Sequence, residues 1–381
     1  MTSTDFLLVE SQPALEQACR DLAGAPRLYL DTEFEGSRSG VQLCLVQISR
    51  GARIYLIDVQ RLSSTERLAA VLSDLASEWV LHAGEQDVSL LVQRLGTQVP
   101  RDVFDTQVAW GLLSAESSVS LAYLQYRLLG LRLSKAHQTD DWKRRPLPPP
   151  QLRYAAGDIA HLPDLHAELE QRAAALNRTQ IVRDASREAV WPEPGAPPEL
   201  TLSSFRNAWQ LDQRRQAGLR FAIEWHNALS LTERAHAPDA KVLLSIASRL
   251  PENANQLGRI KGVRASWCAR HGERFTTELH RAIRAAAEAD FVPVDPSPYA
   301  TFEDIRLDGW LQWMRAEVCA RLSVAPEVAL PARLLKRARG SIASSGDALA
   351  LLEHLEGWRL QLLEAAYREQ CARHPPPVGA Q

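Results

Sequence analysis

Three apolar, β-branched runs lie almost end to end early in the chain: RLYLDTEF (27–34), VQLCLVQIS (41–49) and ARIYLIDV (52–59). Gly-containing turns separate them, and that pattern specifies a strand meander. Then the period changes. SSTERLAAVLSDLAS (63–77) opens on Ser/Thr and places Leu68, Val71, Leu72 and Leu75 at helical spacing. WVLHAG (79–84) predicts a short buried strand, QDVSLLVQRLG (86–96) a helix ended by Gly96, and VFDTQVAWGLL (103–113) a strand leading into a helix. A meander followed by alternating helices and strands predicts a mixed α/β sheet with helices on its faces.

From 119 to 175 the pattern is helical, interrupted by the polar loop SKAHQTDDWKRRPLPPP (134–150). WPEPGAPPEL (191–200) is Pro-rich and predicts a stiff linker. Beyond it the chain turns all-helical, beginning with one long amphipathic stretch over 205–232. A second linker, DFVPVDPSPY (290–299), precedes another helical segment, and the tail HPPPVGAQ (374–381) predicts disorder. The expected organisation is an α/β domain over 1–190, a linker at 191–200, and a helical domain over 201–289. A linker at 290–299 and a helical domain over 300–373 follow. At 381 residues the chain is long enough for each domain to bury a core.

Composition narrows the function classes. No apolar run approaches the roughly 18–20 residues of a membrane span. The N-terminal MTSTDFLLVE carries an acid where a secretory signal would be basic. Five cysteines, odd in number, scattered and without a C-x-x-C pair, argue against a disulfide framework or structural zinc and for a reducing cytoplasm. The net charge of −2 conceals an asymmetry. Residues 1–200 hold 20 basic and 26 acidic side chains, whereas 202–285 hold 14 and 7, a local excess of +7; 301–374 hold 10 of each. An acidic segment joined to a basic one suits a metal-using domain tethered to a polyanion-binding one.

Asp31-Thr32-Glu33 closes the first predicted strand. Residues i and i+2 of a strand share a face, so both carboxylates converge. Two such acids at the end of a buried strand are costly unless a cation neutralises them. A bare Asp-x-Glu is more often a solvated turn, and here its company matters. Asp87 falls in the first turn of the helix after the fourth predicted strand, and Tyr154 and Asp158 stand at i and i+4 on one helix face. Each has a bland reading, Asp87 as a helix-terminus charge and Tyr154 as a half-buried aromatic. All of them in this order are hard to obtain by accident.

The spacing Asp31-x-Glu33, Asp87, Tyr154-x3-Asp158 resembles the three motifs of the DEDDy 3′→5′ exonucleases. More narrowly, LDTEF, LHAGEQD, VFDTQ and the loop from Lys135 through Thr139, Asp140 and Trp142 to Arg145-Pro146-Leu147 resemble ribonuclease D. Leu250-Pro251-Glu252 and the stretch from Leu257 to Val263 resemble an HRDC domain; Leu355-Glu356-Gly357-Trp358-Arg359 is a fainter match to a second. That family has the same nuclease–HRDC–HRDC order. The resemblance implies an RNase H-like (DnaQ-like) exonuclease domain and two all-α HRDC-like domains. It also implies two divalent ions, Mg²⁺ or Mn²⁺, held by Asp31, Glu33, Asp87 and Asp158. Hard cations prefer such oxygen ligands, and two of them about 4 Å apart clamp the attacking and leaving oxygens of an in-line displacement. By the same resemblance Tyr154 positions or helps deprotonate the attacking water, where the sister DEDDh group uses histidine. The products implied are 5′-mononucleotides from RNA 3′ ends, with tRNA precursors as the implied substrates. No membrane or obligate protein partner is implied, and the expected location is the cytoplasm.

Phe34, Gln42 and Lys135 are candidates for substrate contact, with core packing the competing role for Phe34 and solvated surface for Lys135. Asp105 reads as a helix N-cap rather than a ligand, and His82 as a satisfied structural histidine. Arg214, Arg215, Arg220, Arg259, Lys261, Arg264 and Arg270 are candidates for RNA binding in the first helical segment. The neutral second segment is expected to contribute less charge-driven affinity and to pack on the nuclease domain instead. A chain ending near Leu200 is expected to keep hydrolysis of short RNA. The competing readings are a 3′→5′ DNA exonuclease and an inactive RNA-binding adaptor; the intact acids and Tyr154 oppose the second.

Overall fold

The computed structural model describes residues 5–37, 40–132, 140–191, 199–234, 237–286, 291–294 and 301–377. The chain gathers into two compact units, Met1–Glu193 with Phe302–Gln381, and Pro194–Thr301. The second helical segment, expected as a third body, therefore shares a unit with the α/β segment.

The first unit is built on a six-stranded sheet of order β1-β4-β3-β2-β5-β6. Its strands are β1 (Phe6–Val9), β2 (Arg27–Ser37), β3 (Gly40–Ser49), β4 (Ile54–Ile57), β5 (Glu78–Leu81) and β6 (Val103–Asp105). The expected meander is β2-β3-β4, antiparallel throughout, with β1, β5 and β6 added parallel at the edges. Strand period divides the core between the two faces. Tyr29, Leu45, Leu56, Val80 and Phe104 enter one cluster. Leu28, Leu30, Val46, Ile48, Ile57, Trp79 and Leu81 enter the other, beneath α1 (Gln12–Leu22), α2 (Glu66–Leu72) and α3 (Glu85–Leu90). The first face is covered by α4 (Thr106–Gly111), α5 (Leu121–Leu129), α6 (Pro149–Ala160), α7 (Leu162–Ala175) and α8 (Thr179–Val190).

Helix α2 is shorter than 63–77 because Oδ1 of Asp74 accepts from the Ala76 N–H at 3.0 Å and turns the chain. The helix expected over 86–96 runs as α3 to Leu90, widens to a π-turn through Leu95, and closes on Gly96. Strand β1 is too short for FLLV to register in the sequence pattern; helix α1, absent from the expected elements, carries Leu15, Ala18, Cys19 and Leu22 at helical spacing behind Ser11 and Pro13.

The second unit is helical, with α9 (Gln213–Asn227), α10 (Leu231–Arg234), α11 (Ala240–Arg249), α12 (Ala254–Gly258) and α13 (Ala265–Ala285). Its own core includes Leu219, Leu243, Ile246, Leu257, Trp267, Phe275 and Leu279. The stretch 205–232 is not continuous: Asp212 caps α9 by accepting from Arg215 N–H at 2.9 Å, and only a short 3₁₀ turn precedes it.

The chain then returns to the first unit. Of its C-terminal helices α14 (Phe302–Leu322), α15 (Pro326–Ala329), α16 (Ala332–Ser345) and α17 (Gly357–Arg373), α15 packs on α4 and α17 on α8. Leu307, Met314, Val318, Leu335 and Tyr367 belong to the same apolar cluster as Trp110, Leu112 and Val182. Polar ties reinforce the seam. Arg178 donates to Leu112 O at 2.8 Å and to Leu322 O at 2.6 Å, and Ala325 N–H donates to Gly111 O at 2.7 Å. Glu188 accepts from Trp358 Nε1 at 2.9 Å and from Arg359, the two residues of the sequence motif at that place. Gly111 has no room for a side chain, since a Cβ there would lie 2.7 Å from Val328 Cγ2. Among the described residues no helix is long and apolar enough to cross a membrane.

Candidate active site

Asp31, Thr32 and Glu33 sit in β2 opposite Gln47, Val46 and Leu45 of β3. The pleat turns Asp31 and Glu33 toward α6 and Thr32 to the other face. After Glu33 the register slips, Phe34 pairing with Leu43, so that Cys44 is the extra residue of a bulge. On α6, Tyr154 and Asp158 occupy one stripe because they are four apart. The result is convergence: ligand oxygens of Asp31, Glu33 and Asp158 lie within 4.8 Å of one another. The Tyr154 hydroxyl hydrogen-bonds to Asp158.

Asp87, the fourth expected acid, stands apart from that trio. Thr32 Oγ1 donates to its Oδ1 at 2.5 Å, holding it against the middle of β2, where its charge still acts on Asp31 and Glu33. Its approach is set by the turn before α3. Ala83 has φ 55°, and a Cβ on Gly84 would lie 2.8 Å from Leu81 Cβ. Asp105 organises this turn. Its buried carboxylate accepts from the N–H groups of Ala83 (3.1 Å), Gly84 (2.8 Å), Gln107 (2.8 Å) and Val108 (3.2 Å). Asp105 is thus the N-cap of α4 and a brace for α3. His82 is occupied at both ring nitrogens, by Thr106 Oγ1 at 2.9 Å and Val119 O at 3.1 Å, and burial lowers its pKa.

Burial and mutual repulsion make the cluster a candidate cation site. Burial, then the negative charges of Asp87, Asp158 and Glu33, push Asp31 well above the usual carboxylate range. Burial followed by Asp158 and Asp87 raises Glu33 to about 9. Burial raises Asp158 to about 7 against the hydrogen bond from Tyr154. Burial also raises Asp87 to about 6, opposed by the Thr32 hydroxyl. The Tyr154 hydroxyl is displaced upward by burial and then by Asp158, Glu33 and Asp31. Carboxylates that hold protons when bare are the ones a divalent ion would deprotonate, and an all-oxygen donor set suits a hard cation.

The weaker candidates fare differently. Phe34 follows Thr32 onto the other face and packs, half-buried, against the cluster there. Gln42 is exposed opposite Glu35, and Lys135, like Thr139, lies outside the described residues. In the helical unit Arg214, Arg259, Lys261, Arg264 and Arg270 are exposed and Arg220 is half-buried. Arg215 is held by Asp212 and donates to Ser248 O at 3.0 Å. Residues missed by sequence reasoning include Thr32 and Gln47. The Gln47 amide, fully buried, points its Nε2 at Glu33 Oε1, 3.5 Å away. The only sequence signal was a polar residue interrupting an apolar strand.

Two acids in the middle of β2, joined by an acid and a tyrosine on the facing helix α6, form a candidate centre for metal-assisted hydrolysis. Residues 7–174 match the family described as 3′-5′ exonuclease. Over nearly its whole length the chain is similar to ribonuclease D of Pseudomonas paraeruginosa (28% identical, 96% of this chain and 97% of that protein). It is likewise similar to that of Escherichia coli K12 (26%, 97% and 100%). The crystal structure of E. coli RNase D, described as an exoribonuclease involved in structured RNA processing, superposes with a TM-score of 0.70. It covers 97% of this chain and 100% of that one at 23% identity, a likeness of fold. The chain belongs to the ribonuclease D family and is a 3′→5′ exoribonuclease. Its helical remainder is consistent with HRDC domains.

Proposed function

We propose that this enzyme releases 5′-mononucleotides one at a time from accessible RNA 3′ ends, tRNA precursors among them. Two divalent ions, Mg²⁺ or Mn²⁺, would be held by Asp31, Glu33, Asp158 and Asp87. The observation that carries this reading is the convergence of Asp31, Glu33 and Asp158 within 4.8 Å, with Tyr154 on Asp158. When bound, such ions acidify an attacking water and offset charge on the departing 3′ oxygen. The protein's own groups do the rest. Gln47 orients Glu33, Thr32 holds Asp87 within reach, and the Tyr154 hydroxyl orients the attacking water beside Asp158. Arg214, Arg220, Arg259, Lys261, Arg264 and Arg270 would draw RNA phosphates to the helical unit, with Arg215 largely committed to Asp212 and Ser248. All five cysteines are free and buried, which supports a reducing cytoplasm as the setting.

The test is incubation with 5′-labelled RNA and DNA after chelation, then with added Mg²⁺ or Mn²⁺. RNA should shorten from its 3′ end in single-nucleotide steps only when metal is present. Digestion in chelator, internal cleavage, or faster loss of DNA than RNA would overturn the reading.

A further inference from the structure

The loop before α6 carries a buried ion pair that touches none of the acids, yet it reaches the site tyrosine through one intermediate. Arg145 Nη2 donates to Asp58 Oδ1 at 2.7 Å, and Nε lies 2.5 Å from Oδ2. Asp58, just past β4, is fully buried. The same guanidinium donates to Trp142 O at 2.6 Å and to Cys44 O at 3.2 Å. Cys44 is the bulged residue of β3, so its carbonyl lies where the ladder is disrupted. Trp142 is gripped from the other side by Glu35, two residues beyond Glu33 on β2, whose Oε1 accepts the Trp142 N–H at 3.1 Å. Between these two holds the indole is buried, with its ring centre 6.3 Å from that of Tyr154.

A planar guanidinium spread over a carboxylate and three carbonyls, those of Trp142, Cys44 and Arg144 (2.9 Å), has little freedom. Among the groups it fixes is the backbone of Trp142, whose indole lies beside Tyr154. We propose that Arg145 and Asp58 are positioning residues for hydrolysis, holding Trp142 as the wall that keeps the Tyr154 hydroxyl on the acid cluster. The inference rests on the reading of Tyr154 given above. Rigid placement of this kind matters because a displacement of about 1 Å at a reacting group costs on the order of 10²-fold in rate.

Removing one partner would strand a buried charge, so the variant is the pair Arg145→Met with Asp58→Leu. Single-turnover rates on 5′-labelled RNA are measured in the full chain at saturating Mg²⁺, together with RNA affinity and the Mg²⁺ requirement. The expected result is a rate loss on the order of 10-fold or more, with RNA affinity and Mg²⁺ requirement unchanged. In a Tyr154→Phe background the paired change should cost nothing further, because the group it positions is gone. Equal losses in both backgrounds, or a loss confined to RNA affinity, would overturn the clamp while leaving Tyr154 in its role. A Tyr154→Phe rate equal to wild type would remove the role of Tyr154 itself. Should the paired variant fail to fold, Trp142→Leu carries the same cycle, with the same two outcomes.

Discussion

Thr32, in the middle of β2, donates a 2.5 Å hydrogen bond to Asp87, binding two residues 55 positions apart. The three acids on the α6 face converge without this bond; the fourth is brought alongside by it. Thr32→Val keeps the shape and removes the donor. We expect the Mg²⁺ concentration for half-maximal activity to rise several-fold, with the rate at saturating Mg²⁺ near wild type. Stability should fall by about 1–3 kcal/mol. A Mg²⁺ titration of activity and a urea denaturation curve measure the two effects.

The acid cluster makes stability depend on pH in a defined direction. Folded-state values are raised to about 6 for Asp87, 7 for Asp158 and 9 for Glu33, against about 4 in the unfolded chain. Between those limits the folded state binds more protons, so the metal-free protein loses stability as pH rises from about 4 towards 9. Thermal midpoints in chelator should therefore be higher at pH 5 than at pH 8 as far as these groups decide. Added Mg²⁺ should narrow the difference. Asp31→Asn should abolish hydrolysis while leaving the metal-free midpoint equal or higher at pH 8.

Gly111 offers a test of the seam between α4 and the C-terminal helices. Gly111→Ala puts a methyl 2.7 Å from Val328 Cγ2 and should cost about 1–3 kcal/mol by urea denaturation. Gly340→Ala on α16 is the contrast, since a Cβ there would meet nothing within 4 Å. That change should stabilise by about 0.5–1 kcal/mol.

The same seam revises the expectation for a shortened chain. Ending near Leu200 removes the helices that share the cluster with Trp110 and Leu112 and leaves α4 and α8 uncovered. Such a fragment should unfold at markedly lower urea than the full chain, or aggregate, rather than remain a competent small nuclease. Circular dichroism and size-exclusion chromatography distinguish these outcomes.

The basic helical unit is better probed by substitution than by deletion. Replacing Arg214, Arg259, Lys261 and Arg270 with Gln should weaken tRNA binding and flatten its log–log salt dependence. The slope should become shallower by roughly 0.7 for each phosphate that is no longer neutralised. Hydrolysis of a short oligonucleotide should change little, and an unaltered salt slope would assign these cations to the solvated surface alone.

Much of the site is local in origin. Asp31 and Glu33 share a face because strand period is two, and Tyr154 and Asp158 because helix period is near four; neither needs a partner to be legible. The meander, the Asp105 cap and the charge imbalance between segments follow from the same local rules. Other features have no such signature. Gln47 reaches Glu33 only because of the β2–β3 register, and Asp87 meets Thr32 only because the Ala83–Gly84 turn aims α3. Arg145 finds Asp58 across 87 positions, and Trp358 and Arg359 read only as part of a faint HRDC-like motif until Glu188 of α8 receives them. Side-chain direction within an element is dictated by backbone geometry, which each residue carries with it. Which distant groups meet is decided by register, bulges and the packing of layers, and those exist only once the whole chain has folded.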